Sequence, residues 1–437
     1  MKTQPLPQIT GELALTSELK PPQTSLSSHT QRMLYLLAAC IALTMTGYGI
    51  VMPVFAKRIG ELGSGVQALG LMTMSFAFAQ FLLSPFMGSF ADRFGRRPLI
   101  LIALAGEVIA NGAYLYAQSV PLYIAIRFFQ GAISAGLLPA TLGVVGDRVP
   151  EEQHAQWTGV IMASYAAGFI FGPALGGFLF DRWGYAAPFA VSGILAFLAL
   201  LLALVMVPET KPASLRVQKL NPIAGQTKWR EIWASLPRPI YLFTTLLLID
   251  FIATFAFAFI EPQMALYFYN QLSLTPTLLG FIVGGYGLAM LLGQAFLGKS
   301  SDRYGRKPVM ILGLLLNGTL YLGLIFVKSF GLLFPIAILA GLGDALFIPA
   351  IAAWYLDIAK PEHRSRVIGI KASVAALAGV VGPLLVVIVS AWTTPTSIFA
   401  ISAGATLVAI LLALVVLKGR PKIEGSKEQV QPITSSQ

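Results

Sequence analysis

The chain has 437 residues, of which 56% are apolar and only 11% charged, where an ordinary soluble domain carries about 25% charged residues. With a mean hydropathy of +0.75, it has too little polar surface to coat a water-soluble globule, which argues against a cytosolic enzyme, a disordered protein and a secreted disulfide scaffold. A net charge of +11 suggests nucleic acid only until the basic residues are placed along the chain.

Residues 1–32 are rich in Ser, Thr, Pro and Gln and lack an apolar core, so they read as a disordered tail with no cleavable signal. From Met33 onward, apolar runs of about 20 residues recur, each long enough to cross a ~30 Å hydrocarbon core as a helix. The first six are predicted at 33–55, 66–90, 99–118, 121–146, 157–180 and 186–207. The second six follow at 240–269, 277–299, 309–328, 330–356, 365–391 and 395–417. Between them, 208–239 is a linker with five prolines and six basic residues. Within it, Trp229, Ile232, Trp233 and Leu236 have helical spacing, which fits either a surface-lying amphipathic helix or plain linker. Residues 418–437 form a short polar tail. The expected fold class is all-α integral membrane, with six-helix bundles at 33–207 and 240–417.

The basic residues set the topology. With both termini inside, 24 of the 30 lie in the tails and the even-to-odd loops. Lys57, Arg58, Arg182 and Lys328 fall outside, while Arg127 and Lys371 lie within spans. The positive charge therefore serves orientation, which removes nucleic acid as a partner. A single cysteine, Cys40, and three histidines in polar segments, His29, His154 and His363, offer neither a disulfide nor a metal site.

The second half repeats the first. Gly88, Asp92, Arg93, Gly95, Arg96 and Pro98 recur 210 residues later as Gly298, Asp302, Arg303, Gly305, Arg306 and Pro308, with Arg97 matched by Lys307. The same offset links Gly131 to Gly341, Pro139 to Pro349, Asp147 to Asp357 and Gly172-Pro173 to Gly382-Pro383. With an even number of spans per half, the repeats are parallel, related by an axis along the membrane normal. Two such halves rocking about a central site is a transporter plan.

The segment 88–98, Gly-Ser-Phe-Ala-Asp-Arg-Phe-Gly-Arg-Arg-Pro, resembles the loop signature between spans 2 and 3 of the major facilitator superfamily, and 298–308 resembles its weaker copy. Arg127-Phe128-Phe129-Gln130-Gly131 is similar to that family's Arg-x-x-Gln-Gly motif in span 4. Gly168 through Gly177 in span 5, with Gly172, Pro173 and Gly176, is similar to the antiporter motif of its proton-driven exporters. Gly47 through Pro53-Val54 resembles an element of the twelve-span drug:proton antiporters, although Ala56 replaces the second proline. The resemblance implies that Asp92 and Arg93 latch the two bundles when the inner gate is shut, with Asp302 and Arg303 as companion latch. Arg93, Arg96 and Arg97 can pair across that face, or Arg96 and Arg97 simply enforce topology, and Arg306 belongs to the loop's second copy. The stripe Gly168, Gly172, Gly176 forms a groove, and Pro173 permits a bend. A tight contact between the bundles is expected there.

Ionisable groups within spans each cost about 2.5–3.5 kcal/mol at the bilayer centre, so each needs a partner or a wet cavity. They are Glu107, Arg127, Asp250, Glu261, Asp344 and Lys371. The resemblance implies that spans 1, 4, 7 and 10 line the cavity, which places Arg127, Asp250 and Asp344 there. A carboxyl in such a cavity can take up and release a proton near neutral pH. Asp250 is the first candidate for proton carrier and Asp344 the second. Their alternative is a structural acid satisfied by a neighbour. Asp250 and Glu261 lie eleven residues apart, sharing one face of a straight helix at about 16 Å separation. Glu261 is expected towards the outer surface and Lys371 snorkelling inward. Glu107 shares a stripe with Asn111 and Tyr114 and reads as part of a structural network. Phe76, Phe78 and Phe81, and Phe251, Phe255, Phe257 and Phe259, line either a soft cavity or lipid.

The expected function is proton-coupled efflux of drug-like or other small organic molecules by a monomer in the cytoplasmic membrane, with no cofactor, no metal and no enzymatic activity. A proton symporter importing a sugar or other metabolite is the alternative reading, and a non-transporting sensor a minor one.

Overall fold

The computed structural model describes residues 26–150, 153–210, 236–360 and 363–417, so the tail, linker and 226–236 readings fall largely outside the described residues. All secondary structure among the described residues is helical. Among the described residues, twelve helices are long and apolar enough to cross a membrane.

Spans 1–6 are Ser28–Glu61, Val66–Phe94, Arg96–Tyr116, Val120–Ser134 continued by Leu137–Arg148, His154–Trp183 and Ala186–Met206. Spans 7–12 are Ile240–Asn270, Pro276–Leu297, Arg306–Phe326, Phe330–Ile358, Arg364–Val389 and Pro395–Val415. One turn, Ser300–Tyr304, precedes span 9. Span 1 runs beyond both ends of its apolar core, because polar residues continue a helix once they clear the lipid. Span 4 breaks at Ala135-Gly136. Pro139 has no N–H to offer the carbonyl of Ala135, which loosens the helix at that point.

The 210-residue repeat is visible in hydrogen bonds. Gly95 and Gly305 cap spans 3 and 9 at φ +105° and +94°, a region costly to any residue with a Cβ. Arg96 Nε lies 3.3 Å from Asp147 Oδ2, and Arg306 Nε lies 2.9 Å from Asp357 Oδ2. Arg97 donates to the Leu204 carbonyl at 2.7 Å, and Lys307 to that of Leu414 at 2.9 Å. These bonds staple the start of a third span to the ends of the fourth and sixth within one half, where the sequence also admitted pairing across the face. Arg93 lies over the ring of Phe94 and Arg303 over that of Tyr304, while Asp302 pairs with Arg306 of its own segment. The side chain of Asp92 lies outside the described residues.

The halves meet chiefly through spans 5 and 8 and through spans 2 and 11. An even number of crossings brings both ends of the helical region to one face, here called the terminal face. Contacts between the halves concentrate near the opposite face. There Asp181 accepts from the Thr277 N–H at 3.0 Å and from its hydroxyl at 2.5 Å. Tyr269 donates to the Pro53 carbonyl at 2.8 Å. Gly70 of span 2 sits against Pro383 and Val387 of span 11.

The glycine stripe of span 5 does not form this junction. A Cβ on Gly172 would stand 2.6 Å from the Gly49 Cα, and Gly168 and Gly176 likewise abut Met45–Thr46 and Ile50. The groove thus receives span 1 of the same half. The contact between bundles instead uses Pro173, Ala174 and Gly177 against Pro276, Gly280 and Gly284 of span 8. A helix with glycine every four residues presents one groove that another helix can enter closely, and span 1 is the helix that fills it.

Candidate functional site: a charged cavity between the halves

Arg127 and Gln130 are three residues apart on span 4, so they share a face. Gly131, one residue on, lets span 4 press against the Phe76 backbone of span 2, and Gly341 does the same against Tyr286 of span 8. Arg127 is only 8% exposed. Its guanidinium donates to Gln130 Oε1 at 2.8 Å and to the Tyr48 hydroxyl at 2.9 Å. The rings of Phe76, Phe55 and Tyr48 lie 4.4, 4.8 and 5.0 Å from it, a favourable setting for a desolvated cation.

Gln130 relays the contact, donating to Glu107 Oε2 at 2.7 Å. Tyr114 donates to Gln130 at 3.3 Å, and Asn111 donates to the Glu107 carbonyl at 2.9 Å. The stripe Glu107, Asn111, Tyr114 is therefore a connected network. Glu107 also lines the cavity between the halves.

That cavity has a volume of about 460 Å³ and takes its wall from both halves. Arg127, Glu107 and Glu261 supply its charge, and Tyr48, Phe76, Phe257 and Tyr286 much of its apolar surface. Arg127 and Glu261 also line a smaller pocket of about 60 Å³ against Pro53, Pro173 and Pro262. Glu261 has no hydrogen-bond or ion-pair partner among the described residues. Expected near the outer surface, it faces the cavity instead. Span 7 continues past it, with Tyr267 and Phe268 beyond buried in the core, so Glu261 stands within the packed depth of the helix.

Asp250 and Glu261 meet different surroundings in the fold. Asp250 is 4% exposed and sits 3.6 Å from Lys371 Nζ of span 11. It lines neither part of the cavity. A buried acid is held by the cation within reach, and Lys371, expected to snorkel away, is that cation. Asp344 stands one layer behind the wall. Tyr286 donates its hydroxyl to Asp344 Oδ2, and Asn317 donates to Oδ1 at 2.9 Å. Asn317 is the repeat partner of Glu107, and Ser134, bonded to Gln80 at 3.2 Å, is that of Asp344. Reading the polar positions of spans 3, 4 and 8 against the 210-residue offset would have found Asn317, Ser134 and Tyr286. Among the aromatic stripes, Phe76 and Phe257 reach the cavity, whereas Phe78 and Phe81 are exposed and Phe259 is core. Among the described residues, no group of three or more His, Cys, Asp or Glu is placed to hold a metal.

The sequence is 26% identical to the class B tetracycline resistance protein of Escherichia coli, over 89% of this chain and 98% of that protein. It is 28% identical to the multi-drug resistance efflux pump PmrA of Streptococcus pneumoniae, covering 80% of this chain and 85% of the relative. Among solved structures, a bacterial homologue of the human lysosomal transporter Spinster, in an inward-facing and unoccupied conformation, superposes with a TM-score of 0.69 at 15% identity, covering 90% of this chain and 96% of that one. The Major Facilitator Superfamily matches twice, over residues 37–261 and 246–436, once for each half of the repeat. A twelve-span fold, a duplicated loop signature and a match to both halves lead to one conclusion: the chain belongs to the major facilitator superfamily of membrane transporters.

Proposed function

We propose that this protein is a proton-driven exporter of drug-like small organic molecules, working by alternating access in the cytoplasmic membrane with both termini in the cytoplasm. One observation carries the reading. A cavity of about 460 Å³ lies between two repeat-related halves, and both a buried cation, Arg127, and an unpartnered carboxylate, Glu261, line it. A carboxyl without a protein partner that faces a cavity between the halves is placed to take up and release a proton, and the arginine sharing that cavity supplies the charge that balances it. Moving a proton or a cationic substrate through the cavity shifts that balance, which is what exchange requires. We therefore assign the proton to Glu261 first, with Glu107 as a further acid, and read Asp344 as the acceptor that fixes Tyr286 and Asn317, and the Asp250–Lys371 pair as a tie between spans 7 and 11. The relatives named for tetracycline and multidrug resistance support efflux and organic substrates. The bias of basic residues towards the terminal face supports the orientation. The contacts gathered near the opposite face then correspond to a gate closed towards the outside. In that state Asp302 and Arg306, paired within their own segment, are disengaged from the other half. Asp92 and Arg93 belong to the same proposed latch.

The test is accumulation of a lipophilic cationic dye in a pump-deficient bacterium expressing the chain. Lower accumulation, abolished by a protonophore, is the expected result. Unchanged accumulation with the protein verified in the membrane would remove multidrug efflux and turn attention to import of a metabolite.

A further inference from the structure

Four aromatic rings in the cavity wall form two pairs. Tyr48 of span 1 and Phe76 of span 2 have ring centroids 5.5 Å apart, and Phe257 of span 7 and Tyr286 of span 8 have theirs 6.2 Å apart. All four line the same cavity. The pairs are repeat partners: Phe76 and Tyr286 stand 210 residues apart, and Tyr48 and Phe257 stand 209 apart, the spacing that also relates Pro53 to Pro262. The hydroxyl, however, has changed sides. It sits on the first span of one half and on the second span of the other.

Each hydroxyl is held by a charged residue of its own half, and the two charges are opposite. Arg127 donates to the Tyr48 oxygen at 2.9 Å. A guanidinium can only donate, so the Tyr48 O–H proton stays free for another acceptor. Tyr286 spends its proton on Asp344, itself fixed by Asn317. An ionised carboxylate can only accept, so what Tyr286 retains is the lone pairs of its oxygen. The two walls thus offer stacking faces of similar size but opposite hydrogen-bonding polarity.

We propose that Tyr48, Phe76, Phe257 and Tyr286 form an aromatic clamp for a planar ring system, with a hydrogen-bond acceptor of the substrate directed to Tyr48 and a donor directed to Tyr286. This rests on the reading of the cavity as the transport site, and it adds the substrate's shape and polarity. Stacking supplies affinity that tolerates many ring systems, and the two hydroxyls select the orientation in which a substrate enters.

The experiment is binding to the purified protein in detergent, with two planar probes of opposite polarity. Proflavine carries N–H donors on its rim and no carbonyl; flavone carries a carbonyl acceptor and no N–H or O–H. Tyr286→Phe should weaken proflavine about tenfold, the size of one hydrogen bond to a polar partner, and leave flavone within about twofold. Tyr48→Phe should do the reverse, and Phe76→Leu should weaken both. The paired variants Tyr48→Phe/Arg127→Met and Tyr286→Phe/Asp344→Asn remove each hydroxyl together with the charge that holds it. They must give the same selectivity, which guards against a single variant that fails to fold. Equal effects of a tyrosine variant on both probes, no effect of either tyrosine variant on either probe, or no binding of either probe by the unaltered protein would overturn the clamp. Direction of transport plays no part in this readout, so a failed efflux assay and a failed clamp remain distinguishable.

Discussion

At the scale of single residues, the cavity separates side chains that hold from side chains that exchange. Arg127 is held on both branches of its guanidinium, to Gln130 and Tyr48. A lysine there keeps the charge but is a point donor that cannot occupy both positions of a planar fork. Arg127→Lys should therefore reduce dye efflux by about tenfold or more, since a charged buried hydrogen bond contributes about 1.5–3 kcal/mol, with membrane levels unchanged on an immunoblot. Glu261 and Asp250 make a sharper comparison because both are acids on span 7. Glu261→Gln should abolish the pH-driven component of efflux while facilitated exchange persists in vesicles. Asp250→Asn leaves Lys371 without its partner, so its effect should appear in thermal stability of the purified protein. Loss of proton coupling in Asp250→Asn alone would reverse the assignment. Arg127 was legible in the sequence, because an arginine in an apolar run has few reasons to be there and Gln130-Gly131 follows it. The roles of the two acids were not. Span 7 is apolar on every side, so its composition does not show which turn faces the other half.

At the scale of helices, twelve spans and their repeat could be read directly, because a lipid-crossing helix is defined by length and apolarity. Which helix fills which groove could not, since the glycine stripe of span 5 fixes how closely something approaches and says nothing about what approaches. The structure gives Gly172 to span 1 and Gly177 to span 8, and the two contacts should respond differently to a side chain. At Gly172 a Cβ meets the Gly49 backbone, which has no flexible end to yield. Gly172→Val should lower the melting temperature of the purified protein and deplete it from the membrane, as overpacking that costs about 1–3 kcal/mol does. Gly280 lies on the span 8 side of the junction between halves, where an added Cβ would stand 2.6 Å from the Ala174 Cα. Gly280→Val should leave each half folded and instead hold the junction apart. A cysteine placed at Val283 in the cavity wall would then react faster with a membrane-impermeant thiol reagent added from outside. Equal melting losses for both glycine variants would mean that the span 5–8 contact is as structural as the span 1–5 contact.

For the molecule as a whole, the distribution of contacts describes one state of a two-state device. The packed region near the opposite face joins spans 5 to 8, 7 to 1 and 2 to 11, while the ion pairs of Arg96, Arg306 and Asp302 on the terminal face bind within a half. Alternating access requires the first set to separate in each cycle, whichever direction the substrate travels. The Asp181–Thr277 contact is a direct handle on that requirement, because the carboxylate of one half caps the N-terminus of a helix in the other. The native chain has a single cysteine, Cys40, buried at 1% exposure and bonded to the Ala199 carbonyl, so it does not compete for reagents. With Asp181→Cys and Thr277→Cys introduced together, a short bifunctional thiol reagent should join the halves, seen as one joined product after proteolysis within the 208–239 linker. Transport should stop on cross-linking and return on cleavage of the cross-link with a reducing agent, while either single variant treated with the same reagent keeps transporting. Transport that continues with the two halves covalently joined at this point would mean that the opposite face does not open there, and that the path through the protein leaves the cavity by another route.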